Sequence, residues 1–293
     1  MERHVLISVG EGERSFHGVR FYNYFFADVG AVRCTLLYLV SLPPASRDMV
    51  EARREEPERE RRREEAMRRG QRRLDEARDY LRGMGFPAES IQVKLAAAKG
   101  EKARDILAEG VVGDYDAVVL GRRGLGWLEE LVETSVTRQV YAMRSDVPVW
   151  ICRFPEAGRE GVLLCADGSD SSLRMADHVG FMLADLPRHR VRVLHVFDPA
   201  REEPLEAEDI VEQAAGVLEQ GGLAADRITC EVVRGAGMAR IIAQQAAAGN
   251  YAAVAIGRTG AGLEASPLRR LFLGSVSLDL FRDLSGPALW FCH

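Results

Sequence analysis

Two kinds of hydrophobic pattern alternate along the chain. Short, nearly unbroken apolar runs such as Val5-Leu6-Ile7, Val118-Val119-Leu120 and Ala252–Ile256 are separated by longer stretches. In those stretches apolar residues recur every three or four positions. Unbroken runs of strand length are what strands need when both faces of a sheet are covered, and the longer period is that of an amphipathic helix. The pattern predicts strands near 4–9, 32–40, 90–96, 115–121 and 147–152. It predicts a second set near 161–167, 190–197, 227–233, 251–257 and 287–292, with helices near 170–185, 205–220, 238–248 and 275–284. Alternating β and α of this kind predicts an α/β fold made of two tandem, doubly wound parallel-sheet domains.

The tandem reading is supported by an internal repeat. Val5–Gly10 matches Val162–Asp167, and Leu36–Val40 matches Val193–Phe197, both at an offset of 157 positions. The offset then falls: Ile91 matches Ile228, Gly121 matches Gly257, and Trp150-Ile151-Cys152 matches Trp290-Phe291-Cys292. A chain of 293 residues accommodates two domains of roughly 100–150 residues each. The first is placed at 1–153 and the second at 160–293. The polar, Pro- and Gly-bearing stretch 154–160 is the linker.

The falling offset marks an insertion in the first copy, about 45–85. From Glu51 to Arg82 it holds 12 arginines and 10 acidic residues, interleaved so that Glu–Arg pairs support a solvated helix. Met67, Leu74, Ala77, Leu81 and Met84 form one apolar stripe. Pro57 and the scarcity of large apolar residues before Met67 predict that the first part is exposed or disordered. Nearly balanced charge makes the segment a poor nucleic-acid footprint.

The fifth strand of each copy, 147–152 and 287–292, is short and apolar and is expected at a sheet edge. Bare apolar edges promote association. Antiparallel pairing of the two edges would hide both.

Net charge is −5, which does not favour nucleic acid or acidic membrane surfaces as partners. No apolar run approaches the roughly 20 residues that span a bilayer, and the N-terminus shows no signal-peptide pattern. A cytoplasmic location is expected. The five cysteines form no CxxC and all fall in strand-like runs, so buried free thiols are expected rather than disulfides or a metal site. The six histidines show no ligand spacing, and no Ser/His/Asp arrangement stands out.

The remaining signal is glycine. Gly257 ends strand four of the second copy and Gly260 follows. Gly274-Ser275-Val276 leads into the helical pattern VSLDLFRDL, which Ser275 or Ser277 can cap. Glycines there are expected to take positive φ or to admit a ligand closely, and a free helix N-terminus attracts anions. Ligands of open α/β sheets bind at the carboxyl ends of the strands. Asp167, after Ala166 at the end of strand one, shares that edge. Its carboxylate either accepts hydrogen bonds from an adenine or ribose or makes a turn that caps the next helix. With both glycine elements on the same edge, ligand contact is the expectation. Arg258, Arg269 and Arg270 are candidate positive charges.

These phrases, VLLCADGSDSS, VLHVFDP, VAIGRTGAG and LFLGSVS, with VVLGRRGLG in the first copy, resemble the universal stress protein family in its tandem form. The resemblance covers essentially the whole chain, once per copy. It implies an adenine-nucleotide alpha-hydrolase-like, Rossmann-like fold, dimer-like pairing through strand five, and ATP as ligand, with Mg or Mn possible on its phosphates. It carries the nucleotide contacts onto Ala166, Asp167, Val196, Gly257, Arg258, Gly260, Gly274, Ser275 and Val276. The family motif is G-x2-G-x9-G-[ST]; here 13 residues separate Gly260 from Gly274. In the first copy Gly10 replaces the strand-one Asp and Thr134 the third glycine, with Glu129, Glu130 and Glu133 adjacent. That copy is expected to bind nucleotide poorly and to serve as a structural partner. The functional expectation is a stress-response or signalling module that binds ATP or AMP with little catalysis. The alternatives are a nucleotide-free scaffold acting through its dimer surfaces and charged helix, and a weak ATPase or adenylyl-transferring enzyme.

Overall fold

The computed structural model describes residues 2–12, 16–26, 32–41, 49–121, 147–199, 204–257 and 275–292. Ten strands are present: β1 (Arg3–Ser8), β2 (Val32–Val40), β3 (Ile91–Ala97), β4 (Ala117–Gly121), β5 (Val149–Cys152), β6 (Val162–Cys165), β7 (Val191–Phe197), β8 (Ile228–Arg234), β9 (Ala253–Gly257) and β10 (Ala288–Cys292). The described helices are α1 (His17–Phe26), α2 (Met49–Gly83), α3 (Lys102–Val112), α4 (Asp170–Leu183), α5 (Pro204–Gln220), α6 (Met238–Ala248) and α7 (Ser275–Asp283). Every strand expected from the apolar runs is found, its ends displaced by at most two residues.

All ten strands join one sheet, in the order β3-β2-β1-β4-β5-β10-β9-β6-β7-β8. Each half contributes five parallel strands. In each, the first strand of the half lies beside both the second and the fourth, so strand order reverses there. The central strands are apolar throughout because helices cover both faces: every residue of β4 and β10 is buried. The outermost strands β3 and β8 have mostly exposed or half-buried positions. One apolar layer holds α1, α2, α4 and α5 against the sheet and runs unbroken through both halves. The opposite layer holds α3, α6 and α7.

The halves meet where β5 and β10 pair antiparallel, with Trp150 opposite Trp290. The two indoles are fully buried and stacked, centroids 4.0 Å apart and 5° from parallel. Phe25 of α1 packs edge-on to both, with centroids at 6.4 Å from Trp150 and 5.2 Å from Trp290. Each such aromatic pair adds about 0.5–1.5 kcal/mol beyond area burial. The surroundings are not symmetric. Trp150 Nε1 donates to His178 Nε2 at 3.1 Å. At the offset of 157, the first half has Phe21 where the second has His178. Phe21 presents its ring edge-on to Trp290, and the buried Trp290 Nε1 has no hydrogen-bond partner among the described residues. Burial pushes the His178 imidazole down to about 3, so it is neutral and its Nε2 is an acceptor.

Polar ties cross the same seam. Buried Arg3 of β1 donates from Nε to the Phe181 carbonyl at 2.7 Å and pairs with Asp185 at 2.9 Å. His189 accepts from Gly161 N at Nδ1, 3.0 Å, which leaves Nε2 to donate to the Phe25 carbonyl at 2.8 Å. The stretch 154–160, assigned to the linker, joins β5 to β6.

The arginine-rich insertion is helical from Met49, across Pro57, for 35 residues. The expectation that its first part is exposed or disordered therefore holds only as to exposure: Glu56, Pro57 and residues 60–65 are exposed, on a continuous helix. Pro57 is the ninth residue of this helix, past the first turn where a missing donor is cheap, so it leaves the carbonyl four residues before it without a backbone donor. Glu58–Arg62 at 3.0 Å and Glu64–Arg68 at 2.7 Å are i,i+4 pairs with the glutamate N-terminal, the favourable sense, worth about 0.3–0.5 kcal/mol each. From Ala66 onward the helix packs on the sheet through Leu74, Ala77 and Leu81.

Candidate functional site

The parallel register of the second half brings the candidate residues to one edge. Cys165 is level with Leu194 on one side and Ile256 on the other. The chain leaving β6 therefore carries Ala166 and Asp167 between the ends of β7 and β9. Val196 and Gly257 flank them, at the point where strand order reverses. In doubly wound sheets that reversal opens a crevice at the carboxyl ends of the strands.

The edge is braced from within. Ala166 is buried, its amide donates to the Leu194 carbonyl at 3.0 Å, and its carbonyl accepts from His195 Nδ1 at 2.8 Å. Asp167 Oδ1 accepts from the Ser169 amide at 3.1 Å and from the Ser169 hydroxyl at 2.6 Å. Gly168 takes φ +74°, which the turn requires and which an L side chain would strain. Ser169 then caps α4, its Oγ accepting from Ser172 N at 3.2 Å. So Asp167 holds the turn while Ser169 is the helix cap. A carboxylate offers about four acceptor positions, so bracing this turn is compatible with also accepting from a nucleoside.

Gly257 is also constrained by packing within the fold. Its φ is not in the left-handed region. A Cβ there would stand 2.7 Å from both Ser171 Oγ and Ser172 N. The absent side chain lets the N-terminal turn of α4 lie against the end of β9. Cys292 Sγ, level with Gly257 on β10, donates to the Ser171 carbonyl at 3.4 Å, which fixes the same turn from the far side. The run Ser169-Asp170-Ser171-Ser172 was the sequence signal for this packing. It is legible only once β9 is known to lie beside β6.

Helix α7 begins at Ser275, so Ser275 and Ser277 both lie in its first turn. Val276 is half-buried against the layer holding α6, and Ser277 is buried. Arg258, Gly260 and Gly274 lie outside the described residues, as do Arg269 and Arg270, and in the first half Gly124, Glu129, Glu130, Glu133, Thr134 and Ser135. The structure thus brings Ala166, Asp167, Val196 and Gly257 to one edge and gives Ser275 and Val276 a helix start.

Among the described residues no group at this edge has the look of a nucleophile. Burial, and after it the Asp167 charge, push the Cys165 thiol up, which keeps it protonated at neutral pH. All five cysteines are free. Among the described residues there is no cluster of His, Cys, Asp or Glu able to hold a metal ion, and no helix is long and apolar enough to cross a membrane.

With this geometry in place, comparison with known proteins gives a consistent result. The sequence pattern described as the universal stress protein family matches twice, over residues 3–153 and 159–289. The fold resembles that of a universal stress protein from Archaeoglobus fulgidus DSM 4304, with TM-score 0.66 and 18% identity, covering 99% of this chain and 95% of that one. It also resembles a functionally unknown protein from Pseudomonas aeruginosa PAO1, with TM-score 0.54 and 12% identity, covering 99% and 92% of the two chains. A universal stress protein from Archaeoglobus fulgidus in complex with dAMP matches 46% of this chain and 98% of its own, at 20% identity and TM-score 0.36. Among curated proteins none matches. Two matched segments that together span nearly the whole chain place it, as a tandem of two units, in the universal stress protein family.

Proposed function

We propose that the second half binds an adenine nucleotide, ATP or AMP, and that the protein acts as a stress-response or signalling module in the cytoplasm, with little or no catalysis. The observation that carries this reading is the convergence of Asp167, Val196 and Gly257 on the strand-order reversal between β6 and β9. The adenosine end would meet Asp167 and the backbone beside Val196. The triphosphate would meet the motif residues Gly257, Arg258, Gly260, Gly274, Ser275 and Val276, and a divalent cation, Mg or Mn, would sit on the phosphates rather than on the protein.

Several features fit a binding module better than an enzyme. The crevice edge is rigidly braced through Ser169 and His195. The chain has no GxxxxGK[ST] lysine, and no described side chain is placed to activate water. Free, protonated thiols are compatible with a reducing compartment. In the first half Gly10 stands where the second has Asp167, so that half lacks the carboxylate the reading requires.

The direct test is release of bound nucleotide. The full chain, purified without added nucleotide and then denatured, is expected to liberate ATP or AMP at no more than one equivalent. Release from wild type and equal release from Asp167→Ala would refute the assignment of the site. No release, and no uptake of added ATP, would favour a nucleotide-free scaffold.

A further inference from the structure

The first half has the same edge, and its own chain reaches over it. Gly10, Glu11 and Gly12 correspond to Asp167, Gly168 and Ser169 at the offset of 157. Arg73, two turns into the packed part of α2, donates from Nε to the Gly10 carbonyl at 3.3 Å and from Nη2 to the Gly12 carbonyl at 3.0 Å. Its guanidinium lies 4.4 Å over the Phe16 ring, and Nη1 bonds to Glu76. Tyr38, which corresponds to His195, donates to Glu11 Oε1 at 3.1 Å, and Arg69 pairs with the same carboxylate at 3.9 Å. The approach is close. A Cβ on Gly70 would stand 2.7 Å from the Tyr38 ring and from Leu95. The insertion thus brings a forked cation and a bare backbone face to the strand end where the second half carries its candidate site.

We propose that α2 closes the first half's ligand edge from within: Arg73 clasps the carbonyls of Gly10 and Gly12, and this half needs no bound ligand to order the segment after β1. Three physical facts agree. A guanidinium presents several donors in a fixed fork, so one side chain spans two carbonyls that a lysine cannot hold together. Arg73 is itself fixed, by Phe16 beneath it and by Glu76 on its own helix. Gly70, otherwise costly within a helix, is what lets α2 come down onto Tyr38. The insertion belongs to the first copy alone, the copy in which the strand-one Asp is absent. The clasp does not rest on nucleotide binding by the second half.

Hydrogen–deuterium exchange on the full chain tests it, with and without Mg-ATP. In Arg73→Ala the amides of 10–18 are expected to exchange about tenfold faster or more, the loss of charge-assisted bonds to two carbonyls, while 166–172 are unchanged. Arg73→Lys restores part of the protection, and serves alone should the alanine variant fail to fold. ATP leaves 10–18 of the wild type unaltered. Wild-type exchange at 10–18 in both variants, or slowing of 10–18 by ATP in the wild type, would overturn the clasp. Failure of ATP to slow 166–172 would instead count against the proposed function and leave the clasp standing.

Discussion

His178 gives the structure its clearest pH signature. In the folded chain this imidazole is buried between the halves, accepts from Trp150 Nε1 at 3.1 Å, and is pushed by burial to about 3 from its ordinary 6.5. Below pH 6.5 the unfolded chain takes up a proton here that the folded chain refuses, so stability falls as the pH drops from 6.5 towards 3. At about 1.4 kcal/mol per unit, acidification from pH 7 to pH 4.5 removes on the order of 2–3 kcal/mol through this one group. Other titrating groups move stability too, so the informative quantity is the difference between wild type and His178→Phe. Phenylalanine is chosen because Phe21 fills the corresponding place in the first half. At pH 7 the variant is expected to be the less stable by about 1–2 kcal/mol, because Trp150 loses its acceptor. At pH 4.5 the order reverses, the variant being the more stable by roughly 1 kcal/mol. Urea unfolding at pH 7.0, 5.5 and 4.5, followed by tryptophan fluorescence and far-UV circular dichroism, reads both. A gap between the two proteins that stays constant across that range would refute the assignment of a neutral, buried His178.

The two indoles provide a second check. Trp150→Phe breaks a hydrogen bond to His178, whereas Trp290→Phe removes an N–H that has no partner among the described residues. By urea unfolding at pH 7 the first is expected to cost about 1–3 kcal/mol more than the second, and equal losses would contradict the asymmetry. Arg227, buried below β7, donates to the carbonyls of Leu183, Ala184, Leu186 and His189 at the C-terminal end of α4. Arg227→Met keeps much of the packing yet leaves those carbonyls unserved, so thermal unfolding should show a loss of about 2–4 kcal/mol. A loss under about 1 kcal/mol would mean that water replaces the guanidinium.

Much of the fold can be read from the sequence, for a specific reason. β6, β9 and their neighbours are buried on both faces, so they appear as unbroken apolar runs, and the repeat supplies each run twice. The duplicated fifth strands show an apolar edge in each copy, and in the structure those edges are the seam of one continuous sheet. The site was less legible. Local sequence alone reads Asp167 as a turn brace, and only the glycine elements on the same edge make it a ligand contact; the bonds to Ser169 show the brace. Gly257 reads as a ligand-approach glycine. Its further constraint, the backbone of α4 at 2.7 Å, comes from a helix that starts 87 positions earlier in the chain. The Glu–Arg pairs made a helix legible in this segment, but Pro57 and the lack of large apolar residues before Met67 argued against its reaching back to Met49, as it does. The clasp of Arg73 was hidden altogether, since among 12 arginines in that segment nothing local marks the one that faces Gly10.

The central claim is that the second half alone offers an adenine nucleotide a place at the reversal between β6 and β9. Isothermal titration of Mg-ATP into the full chain tests it most directly, beside Asp167→Ala and Gly10→Ala. One site per chain, abolished by the first change and untouched by the second, is the predicted result. Two sites per chain, or a single site indifferent to Asp167, would contradict it.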